Sequence, residues 1–200
     1  MIAIVDYNLG NLRSVEKAVR RVGYDCTVTR DRDILQKSAK LILPGVGNFV
    51  QGMENLKKFG LTELLPELVI GHGKPILGIC LGMQLMTTFS EEGECGGLGW
   101  VKADTKRFRL QNHKVPHIGW NTLEADKRHG HGLVTDATDE FYFVHSYYVS
   151  CENEEDILFT TSYEITFTSG FLRENIMGVQ FHPEKSHLSG LKILKYFLSD

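Results

Sequence analysis

Cysteine is scarce in this chain, with Cys26, Cys80, Cys95 and Cys151 spread along 200 residues. No two of them form a CxxC pair, which excludes a zinc knuckle and a disulfide framework and fits a reducing cytoplasm. Long apolar runs are absent as well. The opening "MIAIVDYNLGNLRS" has a short hydrophobic stretch with nothing basic before it, so neither a secretion signal nor a membrane span is expected. Charge of one sign is not in excess: 22 Lys and Arg face 25 Asp and Glu, a formal net charge of -3, which provides no general attraction to nucleic acid or anionic lipid. Histidine and carboxylate clusters at metal-ligand spacing are missing. The "KRHGHG" segment offers only His129 and His131, which read as part of a polar loop, so no metal or other cofactor is expected. Repeats, low-complexity tracts and linkers are absent too, and one domain over residues 1–200 is expected, with 42% hydrophobic residues to fill its core.

What is present is an alternation. "MIAIV" is followed by the turn-forming "DYNLGN" and then by Leu12, Val15, Ala18, Val19 and Val22 at helical spacing. Gly23 stands where that helix would end in a left-handed conformation, and "YDCTVT" follows as a strand of β-formers. "KLILPGVG" is an apolar strand entering a Pro/Gly loop, "ELLPELVIGHG" reads as helix, and "PILGICLGMQLMTTF" joins a strand to a helix through one tight turn. Apolar strands alternating with helices predict an α/β fold: a flavodoxin-like, open, mostly parallel sheet flanked by helices. The C-terminal half differs. "GLGWVK", "HIGWNTL", "FYFVHSYYV", "DILFTTSY", "FTSGFL" and "IMGVQF" predict additional strands, and "LSGLKILKYFLSD" a closing helix. The acidic "EEGE" from Glu91 to Glu94 reads as a solvated turn after the helix of "PILGICLGMQLMTTF".

"GICLGMQ", Gly78 to Gln84, has the form of a nucleophile elbow. A central residue forced into an unusual backbone conformation needs glycine on both sides, and its side chain then projects over the carboxyl end of the sheet at a helix start, where partial positive charge favours a thiolate. The alternative is that Cys80 is a buried small apolar residue and the glycines serve only packing. "GVQFHPEKS" supplies a partner: His182 and Glu184 lie two residues apart, on one side of an extended segment, with Pro183 blocking a helix. Glu184 could hold one ring nitrogen while the other faces Cys80, the order of nucleophile, base and orienting carboxylate. Without Cys80, a surface turn with a solvated carboxylate would be the favoured reading of that segment. The charge that develops on an attacked carbonyl needs backbone donors, for which the Leu81 N–H and the "PGVG" loop are candidates.

Together, "PGVG", "GICLGMQ" and "GVQFHPEKS" resemble the triad glutamine amidotransferases nearly end to end, and "VDYNLGN", "VPHIGWN" and "YFVHSY" resemble the branch formed by glutaminase subunits of imidazole glycerol phosphate synthase. The resemblance implies Cys80 as nucleophile, His182 as acid and base, and Glu184 as its orienter. It implies Val46 and Leu81 as oxyanion donors and Gly47, Gln84, His145, Ser146 and Tyr147 around an L-glutamine pocket. It further implies transfer of ammonia to a separate (β/α)8-barrel cyclase subunit in histidine biosynthesis, with Asn11, Trp120, Asn121, Tyr142 and Lys185 at or near that interface. The residues themselves leave Asn11 open as a cap, Trp120 and Tyr142 as core, and Lys185 as a solvated cation. His187 instead resembles paralogues that supply ammonia for bacterial surface sugars, and Val50 stands where a small residue is more usual. A free-standing cysteine hydrolase acting on γ-glutamyl bonds is the remaining enzyme reading, and a scaffold without catalysis the non-enzyme one.

Overall fold

The alternation read along the chain appears as layers in a computed structural model, which describes residues 1–126, 128, 136 and 138–199. His129 and His131 lie outside the described residues. The first half forms β1 (Ile2–Val5), α1 (Leu12–Arg21), β2 (Cys26–Thr29), α2 (Arg32–Lys37), β3 (Lys40–Gly45), α3 (Phe49–Lys58), α4 (Leu61–Pro66), β4 (Ile76–Cys80) and α5 (Leu81–Leu85). The second half is rich in strand: β5 (Phe89–Ser90), β6 (Cys95–Gly96), β7 (Ala103–Arg107), β8 (His117–Thr122), β9 (Glu124–Ala125), β10 (Glu140–His145), β11 (Tyr147–Cys151), β12 (Ile157–Tyr163), β13 (Ile165–Arg173) and β14 (Ile176–Val179), before α6 (His187–Leu198).

Five strands run parallel in the order β2-β1-β3-β4-β14. From β14 the sheet continues antiparallel through β13 and β11 to β7, with β5 and β6 at the far end and β12 and β9 branching from β13. β8 and β10 form a separate antiparallel pair. This is the expected open α/β sheet with its additional C-terminal strands.

Side chains alternate across the parallel strands and bury both faces. Ile2, Ile4, Ile42, Leu77 and Ile79 pack with Val15 and Val19 of α1 and Ile193, Leu194 and Phe197 of α6. Ala3, Val5, Leu41, Leu43 and Ile76 pack on the opposite face with Leu35 of α2, Phe49 and Leu56 of α3, and Leu61, Leu64 and Leu65 of α4. Each fully buried large apolar side chain stabilises by about 1.5–3 kcal/mol, so even the short α2 is held by face burial and by its Asp31 cap, which accepts from the Ile34 N–H at 3.0 Å.

One expected strand is absent. "GLGWVK", Gly97 to Lys102, runs as irregular chain because its backbone is engaged elsewhere: the N–H groups of Leu98, Gly99 and Trp100 donate to the carbonyls of Leu85, Thr87 and Met86 at 2.8, 3.0 and 3.0 Å. These are carbonyls that the short elbow helix α5 leaves open at its end. Gly23, at φ +94, terminates α1 as its position in the sequence predicts.

Candidate active site

β4 ends on Cys80 at φ 54 and ψ -109, a conformation that costs a non-glycine residue about 1–3 kcal/mol and persists only where its surroundings impose it. The flanking glycines are what allow the turn. A Cβ on Gly78 would lie 2.8 Å from the backbone of Met83, and one on Gly82 would run into the Leu43 carbonyl oxygen of β3. Strand, thiol-bearing turn and helix are therefore closely stacked, and Cys80 emerges at the carboxyl end of the sheet opposite Gly45, its partner in the β3/β4 register.

β14 lies on the other side of β4, with Val179 beside Ile79, so the chain arrives next to Cys80 three residues later. The His182 backbone is fixed there by two hydrogen bonds and a third that ties their partners together. Its N–H donates to the Tyr142 carbonyl at 2.9 Å, the Ser186 hydroxyl donates to its carbonyl at 2.6 Å, and that hydroxyl in turn accepts from the Tyr142 N–H at 3.0 Å. Glu184 Oε1 sits 2.8 Å from His182 Nδ1, both side chains being 1% exposed. The contact is made across a 3-10 turn, Pro183–Lys185, and not along the extended segment that the sequence suggests. The ring's other nitrogen, Nε2, is buried with no hydrogen-bond partner of ordinary geometry among the described residues. Burial opposes charge on the ring, but its interactions with Cys80 and Glu184 outweigh it and raise the His182 pKa.

A cavity of about 320 Å³ opens over this pair. It brings together Val46, Gly47, Cys80, Leu81, Gln84, His145, Ser146, Tyr147 and His182, all singled out in the sequence. Gly47 turns at φ +108, which a side chain would resist. Gln84 Nε2 donates to the Tyr147 carbonyl at 3.1 Å, and among the described residues no hydrogen bond reaches its Oε1. His145 has no free ring nitrogen: Nδ1 donates to the Tyr147 carbonyl at 2.7 Å and Nε2 meets His117 Nδ1 at 3.0 Å. Its part is to shape the wall.

Two residues at this site carry no signal in the sequence that would identify them. Gln180, fully buried, places Nε2 3.6 Å from the Cys80 sulfur. Glu92 lines the cavity, which corrects the reading of "EEGE" as a solvated turn: its Oε2 accepts from the Phe49 N–H at 2.8 Å, and that anchor draws the carboxylate inward at the start of α3.

The remaining predicted residues lie outside the cavity. Trp120 is 44% exposed, stacked on His187 with ring centroids 5.1 Å apart and against the edge of Tyr142, so it is not core. Lys185 Nζ stands 5.4 Å from the Tyr142 ring centroid. Asn121 Nδ2 donates to the Ser162 carbonyl at 3.0 Å, and Asn11 is the N-cap residue of α1 without a side-chain capping bond. Among the described residues no group of histidine, cysteine and carboxylate side chains could hold a metal ion, and no helix is long and apolar enough to cross a membrane.

The family description "Glutamine amidotransferase class-I" matches residues 3–200. Imidazole glycerol phosphate synthase subunit HisH 2 of Methanococcus maripaludis is 48% identical over 199 residues, covering 99% of this chain and 98% of that protein. The subunit HisH of Sulfurimonas denitrificans is 47% identical, covering 98% and 97%. The subunit HisH 2 of Pseudomonas aeruginosa is 43% identical, covering 99% and 98%. Among solved structures, a glutamine amidotransferase superposes with a TM-score of 0.74 at 18% identity, covering 99% of this chain and 97% of its own, and PurLQS from Thermotoga maritima with 0.70 at 17%, covering 98% and 96%.

Proposed function

The chain belongs to the class-I glutamine amidotransferase family, and from that premise we propose that it is the glutaminase subunit of an imidazole glycerol phosphate synthase, acting in histidine biosynthesis. All of residues 1–200 serve as one glutaminase domain, which hydrolyses L-glutamine and passes ammonia to a partner subunit. The partner we propose is a (β/α)8-barrel cyclase. Support comes from full-length relatives that are each named as a subunit of that synthase. The observation that carries the chemistry is the meeting of a strained cysteine with a buried His182–Glu184 pair beside one small cavity.

In the proposed reaction the Cys80 sulfur attacks the side-chain carboxamide of glutamine. His182, favoured in its protonated form beside a negative sulfur, gives its Nε2 proton to the departing nitrogen, and Glu184 steadies the ring through Nδ1. Ammonia leaves and a thioester remains. His182, now neutral, takes a proton from water, the thioester is hydrolysed to glutamate, and the sulfur is regenerated. The N–H groups of Val46 and Leu81 are the proposed donors to the developing oxyanion. Gln84 Oε1 and the Glu92 carboxylate are suited to the substrate's ammonium, and backbone N–H groups at Gly47, Ser146 and Tyr147 to its carboxylate.

The decisive test is glutamine hydrolysis by Cys80→Ala assembled with the partner subunit. Activity is expected to fall to background, and a rate equal to the parent's would remove the proposal.

A further inference from the structure

A backbone carbonyl can only accept hydrogen bonds, and the Tyr147 carbonyl therefore fixes the direction of every bond in the polar chain around the cavity. Gln84 must turn its amide nitrogen toward it, at 3.1 Å, and the second hydrogen of that nitrogen reaches Gln180 Oε1 at 3.0 Å. Gln180 is thereby held with its oxygen toward Gln84 and its nitrogen toward Cys80, 3.6 Å from the sulfur. No flip of the Gln180 amide satisfies both neighbours, because the opposite orientation would set nitrogen against nitrogen and leave a carbonyl oxygen against the sulfur.

The carbonyl at the hub is itself held from the other side. His145 Nδ1 donates to it at 2.7 Å, so His145 Nε2 accepts from His117 Nδ1 at 3.0 Å, and His117 Nε2 in turn faces Asn121 Nδ2 at 3.4 Å. Gln180 is also pinned through its backbone, whose N–H donates to the Ser169 carbonyl at 2.9 Å, and it is fully buried. A rigid amide donor in a dry site, aimed at an atom that carries negative charge, needs no reorganisation when that charge appears.

We propose that Gln180 is a further catalytic residue: its side-chain N–H donates to the Cys80 sulfur, aims it at the cavity and stabilises it as the thiolate, in an orientation imposed by Gln84 and the Tyr147 carbonyl. This rests on the glutaminase reading above, in which Cys80 is the nucleophile. His182 takes and returns the proton, whereas Gln180 keeps its own hydrogens throughout and acts only by donating to the sulfur.

Two variants of nearly the same size test it. Gln180→Met removes the donor and keeps the bulk, and Gln180→Glu keeps the shape while replacing the donor with an oxygen. Each is treated with iodoacetamide at pH 7 and every cysteine is followed by mass spectrometry, while kcat and KM for glutamine are measured in the complex with the partner subunit. Alkylation at Cys80 and kcat are expected to fall about ten-fold in Gln180→Met and further in Gln180→Glu, with KM within about two-fold and Cys26 unchanged as the buried reference. A merely structural role would loosen the core and speed alkylation at Cys80 and Cys26 together. That result, or Cys80 reacting at the parental rate in both variants, overturns the proposal. Alkylation is read without glutamine turnover, so its outcome is separate from the fate of the glutaminase reading, which Cys80→Ala decides.

Discussion

The two nitrogens of His182 face opposite requirements: Nδ1 rests on the Glu184 carboxylate at 2.8 Å, while Nε2 is left for the sulfur and for substrate. In the proposed reaction the carboxylate orients the ring and favours the protonated state that the leaving nitrogen needs. Glu184→Gln keeps the length of the side chain but can offer Nδ1 an amide hydrogen, which selects the wrong tautomer. Its kcat is expected to fall on the order of 100-fold or more with little change in KM, as read by steady-state glutamine hydrolysis in the complex. A loss below three-fold would deny Glu184 that role. At this scale the sequence was informative wherever geometry restricts residue type. Only glycine tolerates the close approach at Gly78 and Gly82, and Pro183 marks the turn carrying the histidine. Gln180 and Glu92 were silent because an amide one residue beyond a strand, or a carboxylate in an acidic run, is common in any protein; what sets them apart is the atom each one meets across the fold.

Among the elements, the β8/β10 pair carries two histidines whose burial couples stability to pH. His117 and His145 stand directly opposite each other in its register, and His117 is stacked between Tyr163 and Phe143. Burial, assisted by the nearby His113, lowers the His117 pKa to about 4. Burial lowers that of His145 to about 3, against the Tyr147 carbonyl bond that favours its charged form, with His117 and His182 adding to the decrease. Because the folded values lie below the unfolded value of about 6.5, the unfolded chain binds more protons between pH 6.5 and 4, and stability falls as pH drops through that window. Each histidine contributes a slope of about 1.4 kcal/mol per pH unit there, an order-of-magnitude figure. Urea unfolding between pH 6.5 and 4.5 is expected to show a slope shallower by about one proton in His117→Phe, whose ring keeps the stack; an unchanged slope would refute the assignment. The longer strands of this half were legible from their β-formers, whereas the two-residue β5, β6 and β9 were not, and "FYFVHSYYV" divides at Ser146 into β10 and β11, which pair in different sheets. "GLGWVK" misled because the same composition serves a segment whose backbone closes the end of α5.

For the whole molecule, an aromatic and cationic surface lies beside the turn that carries His182 and Glu184. Trp120, Tyr142, Lys185 and His187 form one aromatic and cationic cluster, with exposed Ile118 on the same strand as Trp120 and Leu188 next to His187. Exposed large apolar groups around a stacked tryptophan are what a protein interface uses as its anchor. Tyr142 shares a backbone hydrogen bond with His182, so a partner seated on this cluster would rest one residue from the site. Trp120→Ala is expected to weaken binding of the proposed barrel subunit by about 30-fold in a calorimetric titration, and affinity within two-fold of the parent would move the interface elsewhere.

The amino-acid sequence by itself determined the layered α/β plan, the elbow at Cys80 and the His182–Glu184 segment, because strand and helix periodicity and glycine's missing side chain are local properties of the chain. The tertiary structure alone decided which way Trp120 faces, what draws Glu92 into the cavity and which atom Gln180 touches. Those depend on strands distant in sequence being hydrogen-bonded side by side, and residue order does not encode the direction of such a contact until the sheet has assembled.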